Sequence, residues 1–210
     1  MSFRGGPLFK EANVFRWPNF RKLRHLWFKQ GIFMSFIESK DFETKTSGTG
    51  CEVAVFGAGC FWGVEEIFRQ LPGVANTVVG YMGGEPNTAI YSQVKTGSTG
   101  HAECVRVEFV PSEITYETLL QYFFRLHDPT TINRQGNDVG SQYRSVIFYY
   151  DDRQRTAAEW VKEQVNDSKK WPRPVVTSIE PAQEFYLAEE EHQDYLQKYP
   201  NGYSCHFLRD

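Results

Sequence analysis

The chain of 210 residues is long enough to bury a full hydrophobic core, and its length favours one domain plus an extension. Apolar residues make up 40% and charged residues 23% of the chain, near the averages of globular proteins, which excludes broad disorder. Because the net charge is -3 and no apolar run approaches the roughly 18 residues of a membrane span, we expect a soluble protein without nucleic-acid or membrane partners.

The cysteine pattern points to reduced thiols. Four cysteines are too few for a secreted disulfide scaffold, and none of them belongs to the CxxC pair of a zinc ribbon or a thioredoxin-like redox site. We therefore expect a cytoplasmic protein that holds no metal.

The first 50 residues differ in composition from the rest of the chain. Residues 1–33 carry seven basic residues against the single acid Glu11, as mitochondrial transit peptides do, but they lack the many serines of such peptides. A poorly ordered basic tail, or translation that begins at Met34, explains the same composition. After the polar, glycine-rich linker at 46–50, we expect the folded domain to cover residues 51–210.

Strand-like and helix-like segments alternate from Val53 onward, as their apolar periodicity shows. The predicted elements are, in chain order, strand 53–56, helix 64–71, strands 74–81 and 102–110, helix 116–126 with Ser112 or Thr115 as its cap, strand 145–150, helix 151–169, strand 175–179 and helix 184–198. Helices mixed with strands in this order predict an α+β or α/β sandwich with helices packed on one sheet.

The turn after the first strand carries the candidate nucleophile, Cys60. Its thiol stands where a helix begins, and the free N–H groups and positive dipole end of that helix should lower the thiol pKa. Gly59 lets a ligand approach the backbone, whereas Phe61 and Trp62 lie outside the core-facing stripe and can line an apolar pocket. A cysteine that serves only as a small buried apolar residue fits the same segment.

Glu103 lies on the apolar face of a predicted strand. The alternation of side chains puts it in register with the apolar residues 105, 107 and 109 and puts Cys104 on the opposite face. A carboxyl group in a surrounding of low dielectric has a raised pKa and can hold a proton near neutral pH, as a general acid must. A position at the strand edge, from which the carboxylate reaches water, is the alternative.

Two further polar segments accompany these residues. Residues 134–144 form a glycine-punctuated loop ahead of a strand, which is typical of a binding loop and also of an ordinary turn. The C-terminal segment 199–206 holds Cys205 next to Pro-Asn-Gly, on a stretch of chain that can swing. This thiol can resolve an oxidised partner or be an idle surface thiol.

Four separate motifs, in this order along the chain, resemble the peptide methionine sulfoxide reductase A family. They are Gly59-Cys-Phe-Trp-Gly63, Gly100-His-Ala-Glu103, Gln135-Gly-Asn-Asp138 with Gln142-Tyr-Arg-Ser145, and Asn201-Gly-Tyr203 ahead of Cys205. The resemblance runs from about Val53 to Phe207. It implies an α+β domain, a two-layer sandwich with a mixed, largely antiparallel sheet around a ferredoxin-like core, packed helices and a long irregular C-terminal segment.

The resemblance also implies roles for individual residues. The substrate is the S epimer of methionine sulfoxide, free or in oxidised proteins, and Cys60 attacks its sulfur while Glu103 donates the proton for the departing oxygen. The hydroxyl groups of Tyr91 and Tyr143 lie near the sulfoxide oxygen. The remaining substrate-binding residues are Phe61 and Trp62, which enclose the S-methyl group, together with Asp138, Gly59 and His101.

A second step, also implied by the resemblance, regenerates the thiol. Cys60 is left as a sulfenic acid, Cys205 condenses with it to a disulfide, and thioredoxin reduces that disulfide. The chain departs here from members with a cysteine directly after Gly-Tyr and a further one later, because Ser204 intervenes and only Cys205 follows. Cys51 and Cys104 match no catalytic position. The family needs no cofactor beyond thioredoxin as external reductant, and we expect a monomer.

Two other functions stay open on the residues alone. A cysteine hydrolase would pair Cys60 with His101 or His192, and it would leave Glu103 without a task. A non-catalytic sulfoxide-binding domain would carry an unreactive Cys60.

Overall fold

The computed structural model describes residues 50–210, so the predicted basic extension and, apart from Gly50, the predicted linker lie outside the described residues. The strands are β1 Glu52–Ala58, β2 Val74–Met82, β3 Ala102–Phe109, β4 Arg134–Gln135, β5 Asp138–Val139, β6 Ser145–Tyr149, β7 Ser178–Pro181 and β8 Tyr186–Leu187. The α-helices are α1 Phe61–Arg69, α2 Tyr91–Val94, α3 Tyr116–Leu126, α4 Asp152–Asp167 and α5 Tyr195–Lys198. None of these helices is long and apolar enough to cross a membrane.

Six of the described strands form one mixed sheet in the order β7-β6-β1-β3-β2-β8. β3 pairs antiparallel with both β1 and β2, β6 pairs antiparallel with β1, and β7 runs parallel to β6. Since α1 connects β1 to β2 and α3 lies between β3 and β6, the four central strands and these two helices have the ferredoxin-like arrangement. The predicted α+β class is confirmed.

Apolar side chains cover both faces of the sheet. On the helical face, the ring of Phe56 lies 5.1 Å from that of Phe68 in α1 and 5.3 Å from that of Phe123 in α3. Burying one such side chain stabilises the fold by about 1.5–3 kcal/mol. The opposite face carries a buried cluster with Cys104, against which Phe185 of the C-terminal segment packs. Cys104 is therefore a core residue on the face away from Glu103, as the alternation predicts.

The strands β1, β2, β3 and β6 and the helices α1, α3 and α4 follow the predicted periodicity, and Thr115 is the cap of α3. The short elements α2, β4 and β5 were not predicted. The predicted helix at 184–198 is wrong, because this segment forms the short strand β8 and only the single turn α5. Its polar side chains bond to β2 instead: the amide group of Gln193 accepts a hydrogen bond from the N–H of Val79 and donates one to its carbonyl, both at 2.9 Å. The predicted strand at 175–179 begins later, at Ser178.

Candidate active site

The turn between β1 and α1 presents Cys60 at the N-cap of the helix. Gly59 makes this turn with a φ of +100°, a conformation that residues with a Cβ rarely adopt. A Cβ at this position would lie 2.7 Å from Cβ of Gln135. The space beside Cα of Gly59 is therefore filled by a side chain of the protein, and the approach of a ligand to this backbone stays a prediction.

Burial dominates the chemistry of the Cys60 thiol, which is only 7% exposed. Loss of water raises the pKa of Cys60 above its ordinary value, the charge of Glu103 raises it further, and the backbone N–H of Trp62 lowers it. The predicted fall of the thiol pKa is thus wrong for the resting site, because desolvation outweighs the contribution of the helix terminus. The resting thiol is protonated.

Glu103 projects from the interior strand β3 towards the start of α1. Its side chain is 2% exposed, and Oε2 accepts a hydrogen bond from the N–H of Phe61 at 3.1 Å. Burial raises the pKa of Glu103 to about 8, against the lowering effect of the Phe61 N–H, and Asp138 adds a smaller upward contribution. The raised pKa agrees with the predicted protonated carboxyl group at neutral pH, and the interior position of β3 in the sheet excludes the alternative of a strand edge.

Two tyrosines lie within electrostatic range of Cys60 and Glu103. Burial raises the pKa of Tyr91 and of Tyr143, and the charge of Glu103 is the next largest contribution for each. Cys60 and Asp138 act on both hydroxyl groups in the same direction. The structure thus brings together the thiol, the carboxyl groups and the phenols predicted from the sequence.

A carboxylate that the sequence analysis missed, Glu189, holds Tyr91 in place. Its Oε1 accepts a hydrogen bond from the backbone N–H of Tyr91 at 2.8 Å, and its Oε2 accepts one from the hydroxyl of Tyr81 at 2.9 Å. Glu189 lies in the segment wrongly predicted as helical, where its side chain had no assigned partner.

Aromatic rings form one wall beside Cys60. Phe61 is 1% exposed, and its ring lies 5.5 Å from that of His192. The ring of Trp62 stacks on Tyr195 with centroids 3.7 Å apart, and its Nε1–H donates to Nδ1 of His192 at 3.3 Å. Such rings suit a methyl group and a polarizable sulfur. Sequence reasoning missed Tyr195 and considered His192 only as a base for Cys60.

His101 is not part of this assembly. Its Nε2 pairs with the carbonyl of Glu85 at 3.0 Å, and its ring contacts those of Tyr81 and Tyr186. The ring also packs against Gly84, at which a Cβ would lie 2.6 Å from Cγ of the histidine. These contacts give His101 a packing role, and its predicted contact with substrate stays a prediction. They show no pairing of His101 with Cys60 as the hydrolase hypothesis requires.

The C-terminal segment brings Cys205 to the same site. Oδ2 of Asp138 accepts hydrogen bonds from the hydroxyl of Tyr203 at 3.1 Å and from Sγ of Cys205 at 3.5 Å. Burial, followed by the charge of Asp138, raises the pKa of the Cys205 thiol to about 11, and the charge of Cys205 in turn contributes to the raised pKa of Cys60. Both thiols are free, so this is the reduced state.

Comparisons with known proteins agree with this geometry. The model of a family described as peptide methionine sulfoxide reductase matches residues 52–209. The peptide methionine sulfoxide reductase MsrA 1 of Mesorhizobium japonicum is 52% identical over 161 residues, which cover 77% of this chain and 91% of the relative. The crystal structure of Mxr1 from Saccharomyces cerevisiae in reduced form has a TM-score of 0.74 at 39% identity and covers 79% of this chain and 96% of its own. The structure of Mxr1 from Saccharomyces cerevisiae in complex with Trx2 has a TM-score of 0.54 at 27% identity, and the match covers 80% of this chain and 97% of the Mxr1 chain.

Proposed function

The chain belongs to the peptide methionine sulfoxide reductase family, whose members are thiol-dependent oxidoreductases, and on this premise we propose that it reduces the S epimer of methionine sulfoxide through Cys60 and Glu103. One observation carries the proposal. The carboxyl group of Glu103, with a pKa of about 8, is buried against the first turn of the helix that Cys60 caps. A soft nucleophile and a proton donor are the two groups that sulfur–oxygen cleavage requires.

The first step transfers one oxygen atom. Sγ of Cys60 attacks the sulfoxide sulfur and forms a sulfur–sulfur bond, while Glu103 protonates the sulfoxide oxygen and takes up the proton that the thiol loses. The oxygen then passes from the substrate sulfur to Sγ: its bond to the substrate sulfur breaks, its bond to Sγ forms, and the sulfur–sulfur bond breaks. The products are methionine and the sulfenic acid of Cys60, so that the substrate sulfur gains the two electrons that the Cys60 sulfur gives up. The hydroxyls of Tyr91 and Tyr143 donate hydrogen bonds to the oxygen as charge develops on it.

The aromatic wall selects the substrate. Phe61 and Trp62 enclose the S-methyl group, and Asp138 orders the polar side of the site through its hydrogen bonds with Tyr203 and Cys205. Free methionine sulfoxide and methionine sulfoxide in oxidised proteins present the same reacting group. The activity therefore repairs oxidised proteins.

The second step restores Cys60. Cys205 attacks the sulfenic sulfur, water leaves, and thioredoxin reduces the resulting Cys60–Cys205 disulfide. Two findings support this step: the charge of Cys205 acts on the pKa of Cys60, and the yeast relative has been crystallised with Trx2. Thioredoxin is the only external reductant in this scheme.

We further propose that residues 51–210 act as one catalytic domain, as a monomer and without a metal or bound cofactor, preceded by a basic extension at residues 1–50. The reduced thiols favour the cytoplasm, and the basic residues at 1–33 favour mitochondria as the alternative. Mass spectrometry of the protein isolated from each compartment tests this placement, since import with cleavage would remove the basic residues.

The direct test is a steady-state assay with separated sulfoxide epimers and thioredoxin as the only reductant. We expect turnover of the S epimer alone, and no turnover by Cys60→Ser. The matched control is Cys51→Ser, which changes a buried thiol outside the site and should retain the activity. Full activity of Cys60→Ser, or equal turnover of both epimers, would exclude the proposal.

A further inference from the structure

His206 lies between Cys205 and the turn that carries Cys60, and the steps described so far give it no task. Its Nε2 is 2.7 Å from the carbonyl oxygen of Ala58, two residues before Cys60, and its Nδ1 is 3.5 Å from Sγ of Cys205. A neutral imidazole carries one N–H. Because the Ala58 carbonyl can only accept, the proton belongs on Nε2, and Nδ1 is left as an acceptor. The single hydrogen of the Cys205 thiol thus has two acceptors at 3.5 Å, Nδ1 of His206 and Oδ2 of Asp138.

Two glycines make room for this ring next to Cys60. A Cβ at Gly63 would lie 2.7 Å from Nδ1 of His206, and a Cβ at Gly59 would lie 3.2 Å from its Nε2. A side chain at Gly63 would displace the imidazole, and one at Gly59 would press against it. This packing fixes the ring independently of its hydrogen bonds.

The chain beyond His206 is held on its other side as well. The backbone N–H of Arg209 donates to the carbonyl of Arg125 at 3.1 Å, and Nε of Arg125 donates to the carbonyl of Arg209 at 2.7 Å. The segment 205–209 is therefore attached to the domain at two places. His206 is the attachment nearest to the two reacting thiols.

The charge state of the ring fits this arrangement. Burial lowers the pKa of His206 to about 4, the bond to Ala58 and the charge of Asp138 raise it, and Arg209 lowers it. The charge of His127 also interacts with the ring, and the thiol of Cys205 lies beside it. At neutral pH the imidazole is therefore uncharged, and the Ala58 carbonyl selects the tautomer with the proton on Nε2.

We propose that His206 is a positioning residue for the recycling step, which holds the thiol of Cys205 against the Cys60 turn so that the disulfide forms within one molecule. The inference rests on the proposed role of Cys205. In this step the S–O bond of the Cys60 sulfenic acid breaks and the S–S bond forms. The hydroxyl group leaves with the thiol proton as water. Each sulfur ends at the disulfide level, and no external oxidant is required.

Single-turnover kinetics separate the two steps. Reduced protein is mixed with methionine S-sulfoxide without a reductant, and three products are followed over time: methionine, the Cys60 sulfenic acid trapped with dimedone, and the Cys60–Cys205 disulfide by mass spectrometry. We expect His206→Ala to form methionine at the rate of the unchanged protein. Disulfide formation should be slower by about 100-fold, the size of effect that follows from misplacing a reacting group by about 1 Å, and the sulfenic acid should accumulate.

Conservative variants distinguish positioning from general loss of packing. His206→Gln places an amide N–H near the position of Nε2 and can still donate to Ala58, whereas His206→Asn is too short for this bond. We therefore expect His206→Gln to form the disulfide faster than His206→Asn and His206→Ala. Leu208→Ala is the matched control, since its exposed side chain lies on the same segment and both steps should be unchanged.

The outcomes separate this inference from the proposed function. Disulfide formation by His206→Ala at the unchanged rate, or an equal loss in methionine formation, would overturn the role of His206 alone. If His206→Ala does not fold, the proposed role of His206 is overturned when His206→Gln and His206→Asn form the disulfide at equal rates. Sustained thioredoxin-driven turnover by Cys205→Ser would instead overturn the recycling step of the proposed function.

Discussion

Replacing Glu103 by glutamine removes the proposed proton donor and keeps its shape. In the structure, Oε2 of Glu103 accepts the N–H of Phe61 at 3.1 Å, and the amide oxygen of glutamine can accept the same bond. The start of α1 and the position of Cys60 should therefore be preserved. The amide group can neither transfer a proton to the sulfoxide oxygen nor take up the proton of the thiol, so the change removes proton transfer and keeps the packing.

The expected loss follows from the chemistry of the site. A positioned general acid accelerates a reaction by about 10²–10⁴-fold, which corresponds to about 3–5 kcal/mol in the activation free energy. Glu103 has a pKa of about 8 because it is buried. With this pKa, about 90% of the molecules carry a protonated Glu103 at pH 7, and only about 10% do at pH 9. The first step of the unchanged protein should therefore slow as the pH rises through 8.

The assay measures methionine formed in a single turnover between pH 6 and pH 9.5. We expect Glu103→Gln to be slower by about 10²–10⁴-fold at pH 7 and to lose the decline near pH 8. Glu108→Gln, on the other face of β3, is the control and should behave as the unchanged protein. A rate for Glu103→Gln within about threefold of the unchanged protein, or a decline near pH 8 that persists in the variant, would refute the reasoning.

Three further predictions concern the stability of the fold, the thiol and the tyrosine. The folded state keeps the Glu103 proton to a pKa of about 8, whereas the unfolded chain loses it near the ordinary value of 4.5, so this group destabilises the fold increasingly as the pH rises between these values. Glu103→Gln should therefore increase the free energy of unfolding in urea by about 3 kcal/mol at pH 7 and by less than about 1 kcal/mol at pH 5, and equal gains at both would contradict this. Cys60, whose thiol pKa is raised by burial, should react slowly with iodoacetamide at pH 7 and faster as the pH rises, and rapid alkylation at pH 7 would show that its pKa is not raised. Glu189→Ala frees the N–H of Tyr91 and should lower kcat by about tenfold with unchanged Cys60 alkylation, and an unchanged kcat would show that Glu189 does not position the tyrosine.

Local periodicity predicts the elements that build the sheet and its helical layer. Side-chain alternation on β3 places Glu103 and Cys104 on opposite faces, and both are buried there, at 2% and 0% exposure. The turn at Cys60 is predictable because Gly57-Ala-Gly59 follows an apolar strand segment and precedes apolar residues at helical spacing. These signals depend on neighbours in sequence, which is why they can be read without the fold.

Contacts between distant segments account for what the sequence did not predict. The pKa of Cys60 depends on how deeply the turn is buried, and the side chain that fills the space at Gly59 comes from Gln135. The segment after residue 184 looks helical by composition, yet Gln193 and Glu189 bond to groups more than 90 residues away in sequence. Pairings of this kind leave no local pattern.

The fate of the substrate oxygen tests the role of Cys60 most directly. Cys205→Ser protein is incubated with methionine S-sulfoxide that carries a heavy-oxygen label, without a reductant, and the peptide that contains Cys60 is analysed by mass spectrometry. Attack of Cys60 on the sulfoxide sulfur, followed by direct transfer of the oxygen to Sγ, predicts one labelled oxygen atom on Cys60 for each methionine formed. Methionine that appears while Cys60 stays unmodified and the label is found in water would contradict the mechanism.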